Sequence, residues 1–342
     1  MGALVRSEWY SHQTGHACSS GGRAEWRRSI TDGILVFTLF LLVFACSQNR
    51  SSPHNPPPFP PELVQFKGAA GNPVFAGTGD SSDWDQRIRE RGYILVENGV
   101  YHLWYTGYQN KPDAELHLGY ATSPDGIHFT RYPDNPIFSD NWTEDMMVMK
   151  DGDRYVMFAE GRNDIAHWLT SEDRVHWTGH GNLDIRKMDG NPIEPGPYGT
   201  PTVWKEADQY YLFYERNDSA IWLAKSPDLT TWTNIHDEPV IARGPGWYDK
   251  HGVALNQIVK YQGYYYGYYH GTPEEDWSLW NTNVAVSPDL IHWTKYAQNP
   301  ILEENKSSGI LVPEEEGFRL YTMHPQVVMH VNNPGFQSGT GK

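Results

Sequence analysis

The stretch Ser287–Thr294 reads SPDLIHWT, and the same phrase stands at Ser123–Thr130 (SPDGIHFT), Ser171–Thr178 (SEDRVHWT) and Ser226–Thr233 (SPDLTTWT). A second phrase recurs a few residues further on: NPVF from Asn72, NPIF from Asn135, NPIE from Asn191, EPVI from Glu238 and NPIL from Asn299. The period is roughly 50–60 residues, the spacing of β-propeller blades. Between the phrases, short β-rich runs alternate with hairpin turns such as Glu97-Asn98-Gly99. The second strand of each unit recurs as YHLWYTGY from Tyr101, YVMFAEGR from Tyr155, YYLFYERN from Tyr210, YYYGYYHG from Tyr264 and FRLYTMHP from Phe318. The Asp of the Ser-x-Asp turn is suited to accept backbone N–H groups of its own turn. The aromatic that follows (Phe129, Trp177, Trp232 or Trp293) is suited to fill the space between blades.

The fifth unit lacks a Ser-x-Asp turn, and the missing piece stands at the other end of the chain. Phe66 precedes Asn72 by the interval that separates Phe129 from Asn135. The segment from Leu63 to Phe75 therefore reads as the fourth strand of the last blade. The expected fold is all-β, a five-bladed β-propeller over residues 63–331, closed by the N-terminal strand so that no sheet edge is left open. The 32 Gly and 24 Pro suit many tight turns, and helical periodicity is nearly absent.

Residues 1–45 read as an export signal whose start is over-extended. Arg27 and Arg28 precede the apolar run Gly33–Phe44, which is short for a membrane span. The run ends in Val43-Phe44-Ala45-Cys46, which resembles a bacterial lipoprotein cleavage box with Cys46 as the lipidated residue. Residues 46–62 carry six prolines from Ser47 onward and read as an extended tether, and residues 332–342 as a disordered tail. The expected location is outside the cytoplasm, with the membrane reached through the lipid alone. With Cys18 removed and Cys46 acylated, the body has no thiol, which excludes disulfides, cysteine-ligated zinc and thiol nucleophiles. A net charge of −15 argues against nucleic acid as a partner. The chain is expected to be a monomer.

In a propeller the first strand of every blade lines a central pit. The segments leading into these strands carry Asp85, Arg87, Arg89 and Glu90 in blade one, Glu144 and Asp145 in blade two, Glu194 and Tyr198 in blade three, and Asp249 and His251 in blade four. The second-strand ends add Glu160 and Arg162, Glu215 and Arg216, His270, and His324. Carboxylates converging on one pit, with arginines beside them, suit glycosidic bond cleavage: one carboxyl protonates the leaving oxygen and another activates water or attacks the sugar carbon. No phosphate-cradling glycine loop, nucleophile elbow or zinc motif is present in the sequence. Arg87, Arg89, Trp104, Arg162, Tyr198, Arg216, Asp249, His251, His270 and His324 are the candidates for holding a carbohydrate. No cofactor or metal is predicted; a central ion near His251 or His324 has no supporting ligand spacing.

These phrases, SPDLIHWT and YYLFYERN above all, carry a family resemblance over about Leu63 to Val331. The chain resembles the five-bladed propeller glycosidases of glycoside hydrolase families 43 and 32 and their relatives, family 130 among them. The resemblance implies three acids on the first strands of the first three blades. Counting back from Tyr101 puts Glu90 at the first position, and counting back from Tyr155 puts Asp145 at the second, which grips substrate and tunes the acid. Aligning Pro201 with the third position puts Gly199 where the general acid stands. That departure implies a distinct family whose acid comes from elsewhere. Glu215 is the choice, with Glu160 and Glu194 as alternatives; Glu90 is the expected base or nucleophile, with Asp85 in reserve. The expected activity is hydrolysis of a plant or algal polysaccharide fragment. The alternatives are a non-catalytic glycan-binding lipoprotein and a phosphorylase whose arginines 87, 89, 162 and 216 bind phosphate.

Overall fold

A computed structural model describes residues 59–332. The expected leader, Cys46, most of the tether and nearly all of the tail lie outside the described residues. Five four-stranded antiparallel meanders follow one another as blades. Blade one is Arg87–Glu97, Val100–Tyr108, His117–Ser123 and Thr130–Arg131; blade two is Glu144–Asp151, Arg154–Gly161, Ile165–Ser171 and Thr178–Asn182. Blade three is Gly199–Glu206, Gln209–Glu215, Ala220–Ser226 and Thr231–Asn234, widened by Asp184–Arg186, which pairs in parallel with Thr231–Thr233. Blade four is Gly252–Tyr261, Tyr264–Thr272, Asn281–Ser287 and Thr294–Lys295. Blade five takes Ile310–Pro313, Phe318–Thr322 and Val328–Asn332 from the end of the chain, and its fourth strand, Phe66–Gly68, from the beginning. The closing pairs are Phe66 with Asn332, Lys67 with Val331 and Gly68 with His330. Two boundaries differ from the sequence reading. Asn332 is still in the last strand, and the end of the tether is already part of the body. Phe59 packs on Tyr266 and Tyr296, Glu62 accepts a bond from the Tyr261 hydroxyl, and Leu63 is fully buried.

Each repeated phrase has a mechanical reason. Asp125 Oδ1 accepts the N–H groups of Ile127 (2.8 Å) and His128 (2.9 Å), and Asp173, Asp228 and Asp289 repeat the turn. The aromatic after the turn packs edge-on against the second strand of the preceding blade: Trp177 on Trp104, Trp232 on Phe158 and Trp293 on Phe213, with ring centroids 6.2, 5.9 and 6.0 Å apart. The Asn of the Asn-Pro phrase substitutes for a strand. Asn135 bonds both the N–H and the C=O of Tyr120, Asn299 those of Val284, and Asn72 those of Met329. Asn98-Gly99 and Gln262-Gly263 have φ near +50° and +80°, the backbone of a two-residue hairpin turn.

Candidate active site

The first strands of blades one to four break register at the same place, between Arg89 and Tyr93, Glu144 and Met147, Gly199 and Thr202, and Leu255 and Gln257. A bulge re-aims a side chain out of the alternating pattern. In blades one to three the extra residue is left-handed: Glu90 at φ 54°, Asp145 at 45° and Thr200 at 43°. Such a conformation is costly for these residue types and persists only where neighbours enforce it. The enforcing residue is Arg91. It is completely buried, and its guanidinium ties four blades together at the centre of the ring. Nη1 donates to Thr202 Oγ1 (2.7 Å) and to the carbonyls of Leu255 and Asn256 (both 2.9 Å); Nη2 donates to the carbonyls of Pro201 (2.8 Å) and Asp145. Its own backbone N–H donates to Asp145 Oδ1 at 3.1 Å. Sequence reasoning named Arg87 and Arg89 but passed over Arg91, which reads as one more charge in a polar loop.

Around this pin stand the carboxyl groups. Glu160 and Glu215 end the second strands of blades two and three, paired in register with Glu144 and Gly199. Gly199 is the informative position. A Cβ there would lie 2.0 Å from Glu160 Oε2 and 2.7 Å from Glu215 Oε1, so both carboxyl groups converge on the space that its missing side chain leaves. Each is held by backbone donors: Glu160 Oε2 by Thr200 N–H (2.8 Å), Glu215 by the N–H groups of Gly199 (3.0 Å) and Asp218 (2.5 Å). Burial pushes the Glu215 carboxyl up to about 7 against the pull of those two N–H groups. Burial and then the neighbouring charges of Asp145 and Glu144 push Glu160 well above the usual carboxylate range. Asp145 rises to about 7 through burial and the charge of Glu90. Carboxyl groups crowded in a dry site cannot all ionise, so such a pair keeps a proton near neutral pH. Glu90 is more open, with Oε1 2.6 Å from Arg89 Nη2 and Oε2 3.7 Å from His324 Nδ1. Arg89 also reaches Glu144 Oε2 at 3.2 Å.

Two further acids belong to this cluster and were not singled out from the sequence. Asp218 is pushed well above its usual range by burial and by Glu215, and Asp164 adds to the negative field on Glu144, Glu215 and Asp218. A signal for them existed. Arg162-Asn163-Asp164 after Glu160 repeats as Arg216-Asn217-Asp218 after Glu215, and in both turns the Asn and Asp are left-handed.

Glu90, Asp145, Glu160 and Glu215 are therefore brought together, with His324 beside Glu90. His270 is also close to the centre, buried behind Asn256, whose Nδ2 lies 2.9 Å from His270 Nδ1; burial takes its pKa down to about 3, so it is neutral. Other expected residues are engaged elsewhere. Asp85 is not a reserve acid: it is buried between Arg131 (2.7 Å) and the Tyr105 hydroxyl (2.9 Å), with Asn135 next to that hydroxyl. Asp249 repeats the arrangement with Lys295 (2.5 Å), Tyr269 (3.4 Å) and Asn299, so both aspartates are buried in contacts that lock the outer strands of their blades. Trp104 is fully buried under Trp177, its Nε1–H bonded to Arg174 O, and presents no surface to a ligand. Arg216 is spent on the carbonyls of Glu194, Pro195 and Pro197. Arg162 pairs with Glu115 and lies over Trp142. Glu194 is a solvated group 3.1 Å from Lys187, without the burial an acid catalyst needs. Tyr198 gives its hydroxyl to Leu183 O (3.1 Å) in a surface groove that Glu194 also lines. Arg87 is exposed at the start of its strand, and His251 is half-buried just before the blade-four first strand. Among the described residues no group of three or more His, Cys, Asp or Glu is arranged to hold a metal ion.

No family model matches the chain. Two curated proteins of Thermoanaerobacter sp. (strain X514) are similar to it. A 1,2-beta-oligomannan phosphorylase is 24% identical over 211 residues, covering 56% of this chain and 67% of that protein. A beta-1,2-mannobiose phosphorylase is 28% identical over 216 residues, covering 52% and 69%. A solved structure from the GH130 family of mannoside phosphorylases, a family that contains glycoside hydrolases targeting β-1,2-mannosidic linkages in Candida mannan, superposes with a TM-score of 0.62 at 18% identity, covering 80% of this chain and 95% of that one. Families 43 and 32, which the sequence phrases brought forward first, are not what these similarities name. The chain is a five-bladed propeller similar to phosphorylases and glycosidases, with a cluster of carboxyl groups gathered where the first strands of its blades meet.

Proposed function

We propose that this protein cleaves a β-mannosidic bond in the central pit, with water as the acceptor. The observation that carries the reading is the convergence of Glu160 and Glu215 on the space left by Gly199. A protonated carboxyl group is thereby available where the first-strand acid is missing. Glu215 is the proton donor: its pKa of about 7 lets it give a proton to the leaving oxygen and take one back near neutral pH. Glu90 takes the proton of the attacking water, held in place by Arg89 on Oε1 and with His324 Nδ1 3.7 Å from Oε2. Asp145, anchored by Arg91 N–H, grips a sugar hydroxyl. The substrate class follows the curated relatives, which act on β-1,2-mannosides, and replaces the plant or algal fragment expected from the sequence. Export and anchoring through a lipid on Cys46, facing the periplasm or the cell surface, are part of the same proposal.

A second reading is phosphorolysis, favoured by the names of both curated relatives. Water is preferred as the acceptor because four of the arginines that could hold phosphate have other partners: Arg89 on Glu90 and Glu144, Arg91 on backbone carbonyls, Arg162 on Glu115 and Arg216 on its loop. Arg87, exposed at the start of its strand, is the remaining candidate for phosphate. The test is incubation of purified protein with β-1,2-mannobiose, with and without inorganic phosphate. Mannose released equally in both supports hydrolysis. Mannose 1-phosphate formed only with phosphate transfers the assignment to the second reading, and intact disaccharide in both defeats each of them.

A further inference from the structure

The turns between the second and third strands of blades two and three are short and carry Asp164 and Asp218 to the acid cluster. The same turn in blade four is longer, from Pro273 to Trp280, and carries two tryptophans instead. Trp280 meets His270 edge-on, with centroids 4.8 Å apart at 81°. Its Cη2 lies 3.5 Å from the point where a Gly252 Cβ would stand, and Asp218 Cβ lies 3.4 Å from that point. The indole is thus adjacent to the acid wall. Trp277 follows outward, 6.4 Å from Trp280 at 51°, and is 46% exposed. An indole left in water without a covering partner is an unspent apolar surface. It is also fixed there. Trp277 is left-handed at φ 58°, its N–H donates to Glu274 O (3.2 Å), Ser278 N–H to Asp276 Oδ1 (3.1 Å), and Trp280 N–H to Asn305 Oδ1 (3.1 Å). A left-handed tryptophan held by its own loop is a preorganised surface rather than a frayed tip.

We propose that Trp277 and Trp280 form a platform for a second pyranose ring of the substrate, one beyond the sugar whose bond is cleaved. The proposal rests on the glycosidase reading of the pit and extends it to an oligosaccharide substrate. The C–H face of a pyranose matches an indole face, and the same turn carries the exposed carboxylates of Glu274, Glu275 and Asp276, groups that accept hydrogen bonds from sugar hydroxyls. Continuity with His270 and Asp218 makes the occupant part of the same glycan chain and not a separate ligand.

The experiment compares the full protein with W277A and W277F on an aryl β-mannoside and on β-1,2-linked mannosides of two, three and four units. The native protein is expected to prefer the longer chains by roughly tenfold in kcat/KM. W277A is expected to lose that preference through KM at unchanged melting temperature, and W277F to recover part of it. Equal length preference in the native protein and W277A overturns the platform. So does a native dimer that W277A dissolves, since the indole would then cover a second copy. Calorimetric titration with β-1,2-mannotriose separates this from the function reading. Binding by the native protein that W277A abolishes, without cleavage by either, keeps the platform and removes the glycosidase.

Discussion

Gly199→Ala adds one methyl group at the point on which the chemistry is argued to converge. The added carbon would stand 2.0 Å from Glu160 Oε2 and 2.7 Å from Glu215 Oε1, where ordinary contact begins near 3.4 Å. The Glu160 carboxyl group must therefore retreat by more than about 1 Å, and Glu215 by rather less. Both groups are the far ends of rotatable side chains. The backbone at Gly199 is not left-handed, so alanine is tolerated conformationally. Overpacking of this kind costs about 1–3 kcal/mol of stability. A misplacement of about 1 Å in a catalytic constellation costs roughly a hundredfold in rate. The expected outcome is a folded protein whose melting temperature falls by a few degrees and whose kcat on β-1,2-mannobiose falls about a hundredfold, with KM little changed. Steady-state kinetics beside a thermal melt reads both. A variant with native kcat would refute the reasoning, because two displaced carboxyl groups could not then be the proton donor.

Arg91→Met removes the guanidinium from four buried carbonyls, of which those of Leu255 and Asn256 keep Thr202 Oγ1 and those of Pro201 and Asp145 do not. It should cost about 3 kcal/mol, or roughly 10 °C in melting temperature; an unchanged melt would contradict the central pin. For pH, Glu215 and Asp145 hold their protons to about 7 in the native state against ordinary values of 4.5 and 3.8. These two groups make the native state hold protons that the unfolded chain has lost, while the buried and neutral His102, His167, His270 and His330 act in the opposite direction below about pH 6.5. The fall in stability is therefore expected as pH rises from about 6.5 to 8. A melting temperature higher at pH 8 than at about pH 6.5 would contradict the assignment; kcat/KM should likewise decline above about pH 7 as Glu215 deprotonates. Cys46→Ser should move the protein from the membrane pellet to the soluble fraction after a carbonate wash, and retention in the pellet would sink the lipid anchor.

The fold was legible because each repeated phrase performs a local mechanical task. The Ser-x-Asp turn, the wedge aromatic and the strand-mimicking Asn need no tertiary context to be recognised, and the displaced Phe66–Asn72 fragment announced the ring closure. The site was legible only where a bulge position could be counted from a second strand, as for Glu90 and Asp145. Arg91 was missed because its partners are carbonyls of other blades, separated by more than a hundred residues from some of them. Asp85 and Asp249 looked like pit acids because both precede first strands. Their partners Arg131 and Lys295 sit on fourth strands, and sequence spacing does not disclose that pairing. Trp104 reads as a sugar-binding aromatic or as a wedge partner equally well until burial decides it.

Glu215→Gln, assayed on two leaving groups, isolates the proton that Glu215 is proposed to give. Glutamine keeps the shape of the side chain and removes the transferable proton. The expected result is a loss of at least about a hundredfold in kcat/KM on β-1,2-mannobiose, whose leaving alcohol needs that proton, and a much smaller loss on 2,4-dinitrophenyl β-mannoside, whose leaving group does not. Equal losses on both substrates, or no loss on either, would contradict Glu215 as the acid of this pit.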